Sequence, residues 1–359
     1  MASDVQVRQF RLDDKDALLA FLALAYPDEP RKQEPAFWKW HYLENPYTSL
    51  NDIPLWIITS ADRVVGQLAT IPVRVKVGLD EVPAIWILDF VILPEFRGQG
   101  LGKRLVLAAR ERFPTMITLG INEQSTAVFR SLKWVALGGL HRYHRLLYPG
   151  DAFGEMARVG PLRTVANICY APFRPRYTPL ATNGNGEIRK IRTFDSSFED
   201  LWRRARKQWT CAVVRDAGYL SWQFAQQPGK KFDALGVYEQ NELIGYVVLF
   251  FRKPEHGNNP PKAAISDICY VDDGSRELID TLLNAALSLA MERRAGSLVV
   301  DVHDPRVEAA LQRHGFWRIK NAPRFMASTS EHQELIYNQQ NWFLTRADSD
   351  VSIFEQPNL

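Results

Sequence analysis

The chain of 359 residues is long enough for two domains at about 150 residues each, and its composition, 46% hydrophobic and 24% charged, excludes disordered and fibrous architectures. The net charge of +3 is too close to neutral to indicate nucleic-acid binding. No apolar stretch approaches the ~18 residues of a membrane span, and Met1-Ala2-Ser3-Asp4 lacks the features of a signal peptide. We therefore expect a cytoplasmic protein with no nucleic-acid or membrane partner.

The three cysteines indicate neither a disulfide framework nor a metal centre. Cys169, Cys211 and Cys269 are far apart and odd in number, which does not fit paired bridges or a zinc site built on paired cysteines. Cys269 lies in the apolar run Ile265–Val271, which is typical of an inert buried thiol. The sequence thus predicts no metal site.

Hydrophobic periodicity predicts the elements of the first 148 residues. Alternating apolar residues predict strands, and the nearly all-apolar run at 84–93 predicts a central strand buried on both faces. The predicted strands are Val5–Arg11, Pro54–Ser60, Val64–Val77, Ala84–Leu93 and Met116–Ile121. Helices are predicted from about Asp13, capped by Asp13 or Asp14, at Gly100–Phe113 and at Ser125–Leu132. The fold class is α/β, with a mixed, mostly antiparallel sheet and helices on both faces.

Residues 149–186 predict a connector. They hold five prolines and five glycines, which remove backbone donors and cost entropy to order. The segment is long for a loop, so we expect a short helix at Leu162–Tyr170 within it.

A long-period repeat follows the connector. The pattern Trp-x-aromatic-x-x-amide-Pro begins at Trp40 and again at Trp222. A glycine follows 26 residues after the first tryptophan and 23 after the second, at Gly66 and Gly245. An aspartate in an apolar strand comes next in each half, Asp89 and Asp267, and the order of landmarks predicts two copies of one fold.

The segment after the central strand of the first copy carries the clearest signal for a ligand. It reads Arg97-Gly98-Gln99-Gly100-Leu101-Gly102-Lys103 and leads from a strand into a helix. Backbone N–H groups at such a helix start bind anions, and the helix dipole strengthens the binding. The glycine spacing matches neither a Walker loop nor a dinucleotide fingerprint.

This segment resembles the acyl-CoA pyrophosphate loop of the GCN5-related N-acetyltransferases (GNAT), Arg/Gln-x-x-Gly-x-Gly/Ala. A second family signature is matched by Asn122-x-x-Ser125-x-x-x-Phe129, with Lys133-Trp134 where the family usually has Gly-Phe. The resemblance covers about residues 4–148. It implies two tandem GNAT-like domains: 1–148 binding acyl-CoA, 149–186 connecting, 187–328 a degenerate copy, and 329–359 a C-terminal extension.

The same resemblance implies acetyl-CoA or another acyl-CoA as co-substrate, without a metal. The backbones of Phe90, Val91 and Ile92 would pair with the pantetheine arm and polarise the thioester carbonyl. Asn122 would hydrogen-bond the pantetheine, or would be only a turn residue at a strand end. The expected cofactor-binding residues are Phe90, Val91, Ile92, Arg97, Gly98, Gln99, Gly100, Leu101, Gly102, Lys103, Asn122, Ser125 and Phe129.

The expected catalytic residues are Asp89 and Tyr143. Many family members have tyrosine at the position of Phe129, where it protonates the leaving thiolate, and phenylalanine has no proton to give. Tyr143, with His141 and His144 as alternatives, is a candidate substitute. Asp89 would accept an amine proton or hold an ammonium substrate, although Asp267 at the same place indicates a shared structural role.

The second copy lacks the glycine-rich loop. Asp272 and Asp273 stand in its place and would repel a pyrophosphate. Its cleft is then free for packing against the first copy or for acceptor binding, and Trp202, Trp209 and Trp222 favour packing. Two further segments have two interpretations each: Phe37-Trp38-Lys39-Trp40 fills a core or lines an acceptor pocket, and Asp348-Ser349-Asp350 is a solvated tail or holds a cation.

The sequence therefore predicts an acyl-CoA-dependent N-acyltransferase, most simply an acetyltransferase, with direct attack of an amine on the thioester. The acceptor is a small molecule or a protein amine, and the oligomeric state is open. Two alternatives remain: a non-catalytic acyl-CoA sensor or scaffold, which Phe129 favours, and an aminoacyl transferase that uses charged tRNA. The intact loop and the weak net charge count against the latter.

Overall fold

A computed structural model describes residues 5–149, 160–173, 186–252, 261–272, 274, 276–319 and 324–348. Asp273, Ser349, Asp350 and most of the connector lie outside these residues. No helix among the described residues is long and apolar enough to cross a membrane.

Among the residues that the structure describes, sixteen strands form one continuous mixed sheet. In chain order they are β1 (Val5–Gln9), β2 (Leu55–Ser60), β3 (Arg63–Val77), β4 (Asp80–Ile92), β5 (Thr115–Leu119), β6 (Val135–Gly139), β7 (His141–Leu146), β8 (Glu187–Ile191), β9 (Cys211–Val213), β10 (Phe232–Glu239), β11 (Glu242–Arg252), β12 (Lys262–Tyr270), β13 (Ser297–His303), β14 (Trp317–Ile319), β15 (Arg324–Ser328) and β16 (Trp342–Thr345).

Ten α-helices accompany the sheet in the described residues, and most of them bury an apolar face. They are α1 (Lys15–Ala25), α2 (Pro35–Leu43), α3 (Leu101–Arg112), α4 (Glu123–Ser131), α5 (Gly160–Tyr170), α6 (Ser196–Ala205), α7 (Ala217–Leu220), α8 (Glu277–Glu292), α9 (Pro305–Arg313) and α10 (Gln333–Ile336). The α/β class and the mixed sheet predicted from the sequence are confirmed.

Two predictions of local structure need correction. The helix α1 begins at Lys15, directly after Asp14, but the side chain of Asp14 does not cap it. The Asp14 carboxylate instead accepts the Arg11 N–H and pairs with Arg8. The strand β4 is fully buried only at residues 84–87, and residues 88–92 are partly exposed. That exposure follows from the pairing of β4 described below.

The two halves of the sheet have the same strand order. The N-terminal half runs β1-β2-β3-β4-β5-β15-β6, and the C-terminal half runs β8-β10-β11-β12-β13-β7-β14. The sixth strand of each half is exchanged, because β15 comes from the end of the chain and β7 from its first half. The predicted domains 1–148 and 187–328 remain a prediction. The first would contain β7, which completes the sheet of the C-terminal half, and the second would contain β15, which completes the sheet of the N-terminal half.

A third core joins the halves. Trp40 and Trp222 stack with ring centroids 4.7 Å apart, and each indole N–H donates to the backbone oxygen of the other tryptophan. Phe37 lies in the same buried cluster. The aromatic segment at 37–40 therefore fills the core, and Trp222 packs on the first half as the sequence suggested.

The strands β4 and β5 diverge, and this divergence creates the cleft. They pair in parallel only from Ala84 with Thr115 to Ile87 with Thr118, while β4 continues to Ile92. Beyond Ile87, β4 is paired with β3 on its other edge only, among the described strands. Backbone groups of residues 88–92 therefore face an opening.

Candidate acyl-CoA cleft

The opening between β4 and β5 is the mouth of a cleft of about 340 Å³. Its walls come from the end of β4, the loop before α3, the first turn of α3, and α4. The lining residues are Phe90, Val91, Ile92, Phe96, Arg97, Gly98, Gly100, Leu101, Gly102, Lys103, Asn122, Gln124, Ser125 and Val128. Eleven of the thirteen residues expected to bind cofactor are therefore brought together; Gln99 and Phe129 do not line the cleft.

The glycines of the loop are required by its geometry. Gly98 and Gly100 have φ angles of +79° and +72°, which side-chain-bearing residues rarely adopt, and no atom lies within 4 Å of where their Cβ would be. At Gly102 a Cβ would come 2.9 Å from the ring of Phe90. The loop thus stays open at two positions and packs tightly at the third.

The first turn of α3 presents backbone donors to the cleft. No side chain caps the helix at Gly100, and the first intrahelical bond runs from the Lys103 N–H to the Gly100 oxygen. The N–H groups of Leu101 and Gly102 precede that bond and lie at the positive end of the helix dipole. Arg97, whose Nε donates to the Ile92 oxygen at 2.8 Å, and Lys103 add positive charge. This arrangement suits an anionic group such as a pyrophosphate.

Asn122 combines a capping role with a place in the wall. Its Oδ1 accepts the Ser125 N–H at 2.8 Å, so it is the N-cap of α4, which is the turn role that the sequence left open. It also lines the cleft together with Ser125.

Phe129 lies behind Phe90, beneath the cleft, and does not line it. It is fully buried and packs against Trp134, with centroids 4.5 Å apart, and against Phe90 at 5.7 Å. From α4 the wall is lined by Gln124, Ser125 and Val128, and Val128 is one position before Phe129. The sequence missed Phe96, Gln124 and Val128; only Val128 had a signal, because it lies three residues after Ser125 on the same helix face.

Asp89 precedes the cleft-lining residues of β4 and belongs to a buried polar cluster. Its carboxylate lies 2.8 Å from the Nζ of Lys32, whose side chain is only 7% exposed, and also bonds Tyr26. Burial raises the pKa of Asp89, although Lys32 opposes the rise. The group that neutralises Asp89 is therefore an ammonium, and nothing in the sequence around Lys32 distinguishes it from a surface lysine.

Tyr143 is not brought to this cleft. It lies on β7 in the buried core of the C-terminal half, and its hydroxyl donates to Glu308 at 2.8 Å. Burial and Glu308 raise its pKa to about 12. His141 and His144 are on the same strand. The cysteine at 269 is buried, and burial raises its pKa to about 12, in keeping with the predicted inert thiol.

The equivalent opening in the C-terminal half is filled by the chain itself. The strands β12 and β13 pair only from Lys262 with Ser297 to Ile265 with Val300. Beyond that point β16 pairs with β13, and the Thr345 hydroxyl donates to Asp267 at 2.7 Å. Residues 342–348, which we call the plug, therefore fill the place of the cleft in the second half.

The plug also decides the role of Asp348, which was expected in a solvated tail. Asp348 is only 3% exposed and accepts a 2.7 Å hydrogen bond from Arg215, which also contacts Asp267. The tail interpretation is wrong for Asp348, because a buried guanidinium needs more than one carboxylate contact to satisfy its donors. Asp272 pairs with Arg306 at the surface.

Comparison with known proteins identifies the fold and one matching domain. Residues 6–116 match the model of the acetyltransferase (GNAT) domain. No curated protein sequence shows significant similarity to the chain.

Solved structures are similar over nearly the whole chain. A probable N-acyltransferase from Enterococcus faecalis V583 is 14% identical with a TM-score of 0.62, covering 92% of this chain and 74% of that one. The N-myristoyltransferase of Saccharomyces cerevisiae, with bound myristoyl-CoA, is 12% identical with a TM-score of 0.58, over 92% and 80%. A GCN5-related N-acetyltransferase from Anabaena variabilis is 14% identical with a TM-score of 0.58, over 90% and 72%. The chain therefore has the fold of these N-acyltransferases, and its residues 6–116 are similar to the acetyltransferase (GNAT) domain.

Proposed function

We propose that the protein is an acyl-CoA-dependent N-acyltransferase, most simply an N-acetyltransferase, that uses the N-terminal cleft. The observation that carries the proposal is the unpaired edge of β4, which leads directly to the left-handed glycines and the open first turn of α3. An extended pantetheine arm pairs with such an edge as a strand would, while its pyrophosphate binds the helix start. The two GNAT-like copies, with the C-terminal one unable to bind acyl-CoA, are part of the same proposal.

In the proposed reaction an amine attacks the thioester directly. Asp89 accepts the amine proton, a backbone N–H at residues 90–92 stabilises the oxyanion, and the thiolate of CoA leaves. A thiolate leaves near neutral pH without an obligatory acid, so Phe129 is compatible with turnover. Burial raises the pKa of Asp89, which supports its role as proton acceptor, while Lys32, 2.8 Å away, lowers that pKa.

The acyl group is proposed to be short. Phe90, Phe129 and Trp134 pack against one another beneath the cleft and leave the floor closed. Thiol release should be measured with acetyl-CoA, hexanoyl-CoA and myristoyl-CoA across a panel of small amines and peptides with free N-termini. Turnover highest with acetyl-CoA supports the proposal, and turnover confined to myristoyl-CoA would contradict the short chain.

The pH profile tests Asp89. Since burial raises the pKa of Asp89, the acid limb of the transfer rate should lie above the ordinary range of an aspartate. Lys32 lowers that pKa, so Lys32→Met should move the limb to still higher pH; Glu29, Tyr26 and Tyr42 also face this carboxylate. Lys39→Met, which breaks an exposed pair with Glu44, is the control and should leave the limb in place.

A sensor without catalysis is the second candidate, because the buried Phe129 offers no proton to a leaving thiolate. A sensor would bind acetyl-CoA with normal affinity and release no thiol with any amine. Co-purified CoA, detected by mass spectrometry, together with an amine-dependent thiol signal supports the enzyme over the sensor.

A further inference from the structure

Three side chains with metal-ligand chemistry meet at the exchanged strand of the C-terminal half. His141 is on β7, His303 ends β13, and Glu308 is in the first turns of α9. Each of the three offers one ligand atom, a ring nitrogen or a carboxylate oxygen, and these three atoms lie within 4.8 Å of one another. His141 lies more than 160 positions before His303 and Glu308, so no short spacing motif unites the three residues. They lie outside the acyl-CoA cleft.

In the imidazole of His303 one nitrogen makes a hydrogen bond and the other makes none. Its Nε2 lies 3.0 Å from the backbone oxygen of Gln339, and a carbonyl only accepts, so this nitrogen carries the proton. In a neutral imidazole only one of the two ring nitrogens carries a proton. Its Nδ1 therefore bears a lone pair, yet it is buried without a hydrogen-bond partner. A buried polar atom without a protein partner usually binds a water or an ion.

The other two side chains supply the rest of a coordination shell. The Nδ1 of His141 lies 2.7 Å from Oε2 of Glu308, and Oε1 of Glu308 lies 3.9 Å from the free Nδ1 of His303. The Tyr143 hydroxyl donates to the same carboxylate at 2.8 Å. His303 is thus oriented by a carbonyl and Glu308 by a phenol, as outer partners orient metal ligands.

We propose that His141, His303 and Glu308 form a binding site for a zinc-class divalent ion, with water as the fourth ligand. Two imidazoles and one carboxylate suit zinc and disfavour calcium and magnesium, which take oxygen ligands. Bonds of about 2.1 Å place tetrahedral ligands about 3.4 Å apart, so His303 must approach and His141 must withdraw slightly. For His141 to bind through Nδ1, any proton on that nitrogen must leave while Nε2 carries one, so that the bound imidazole is neutral. The ion would tie β7 to β13 and α9, and the site revises the expectation of no metal.

The test is zinc binding by the full chain without a purification tag. All proteins carry Cys169→Ser, because Cys169 is an exposed free cysteine and thiolates are zinc ligands. Calorimetry with Zn²⁺ and metal analysis after dialysis should give about one ion per chain. Cobalt substitution should give the visible bands of a tetrahedral site.

Variants separate this site from general histidine binding. His303→Gln and Glu308→Gln should each abolish stoichiometric zinc, with unchanged circular dichroism. Tyr143→Phe should keep the stoichiometry and weaken affinity about 10- to 100-fold, as loss of an outer partner does. His314→Gln is the matched control, since His314 pairs with Asp280 at 3.1 Å and belongs to no cluster of three metal-ligating side chains among the described residues. No binding, or binding only at millimolar zinc, overturns the proposal, and so does zinc retained by His303→Gln.

Discussion

The two halves hold an aspartate at the same place in the same strand and neutralise it differently. Asp89 pairs with Lys32, keeps 15% of its side chain exposed and stands beside an open cleft. Asp267 is fully buried, bonded by Arg215, Tyr246 and Thr345, and the cleft beside it is filled by residues 342–348. The same diverging strands thus leave an open cleft in one half and hold a buried ion-pair cluster in the other, where the chain fills the gap.

The exchange of β7 and β15 makes the halves depend on each other, and a cut between them should have the largest effect. A fragment ending at residue 150 lacks β15, which pairs with both β5 and β6. It also exposes the apolar surface around Trp40. We expect it to be insoluble or unfolded on expression. A soluble, monomeric fragment with full transfer activity would contradict this interdependence.

Gly100→Glu should abolish acyl-CoA binding in the open half. The substitution adds a carboxylate where a pyrophosphate should bind, at a φ of +72° that disfavours a side chain. Like charges a few Å apart cost several kcal/mol, so affinity should fall at least about 100-fold by calorimetry.

Its control is Gly229→Glu. Gly229 has a φ of +70° and, like Gly100, no atom within 4 Å of the place that a Cβ would take. The backbone strain is therefore matched, and acyl-CoA affinity should stay normal. Equal losses in the two variants would mean that strain, not charge at the loop, weakens binding.

Removing the partner cation should cost more stability in the closed half. Arg215→Met leaves Asp267 and Asp348 buried without their guanidinium, which should lower the free energy of unfolding by about 3–5 kcal/mol. Lys32→Met should cost about 1 kcal/mol, because Asp89 is partly exposed and already has a raised pKa, so it takes up a proton. Urea unfolding measures both free energies. Equal losses for Arg215→Met and Lys32→Met would contradict the distinction between the filled and the open half.

Phe129→Tyr should have the smallest effect. The ring is buried beneath the cleft and not in its wall, so the added hydroxyl should change the free energy of acyl-CoA binding by less than about 1 kcal/mol. Turnover should persist, and it should rise if departure of the thiolate limits the rate. Total loss of turnover in a folded variant would show that the phenyl ring contacts the substrate.

The sequence predicts the first half better than the second, for a physical reason. The loop at 97–103 and the strands around it are local features, in which glycine positions and apolar periodicity determine the backbone. The exchanged strand β15 could not be predicted, because periodicity says which face of a strand is buried and not which strand lies beside it.

Two charged residues show the same limit. Lys32 and Arg215 look like ordinary surface cations in the sequence, and only the fold places them against Asp89 and Asp267. Asp348 was assigned to a tail because acidic clusters near a chain end are usually solvated. Its burial depends on a partner 133 positions away, which no local pattern reveals.

The central claim is that one half binds acyl-CoA and the other has closed the equivalent cleft upon itself. Calorimetric titration of the full chain with acetyl-CoA tests it most directly. The account predicts a stoichiometry of about one per chain, abolished by Gly100→Glu. A stoichiometry of two, or binding that survives Gly100→Glu, would contradict it.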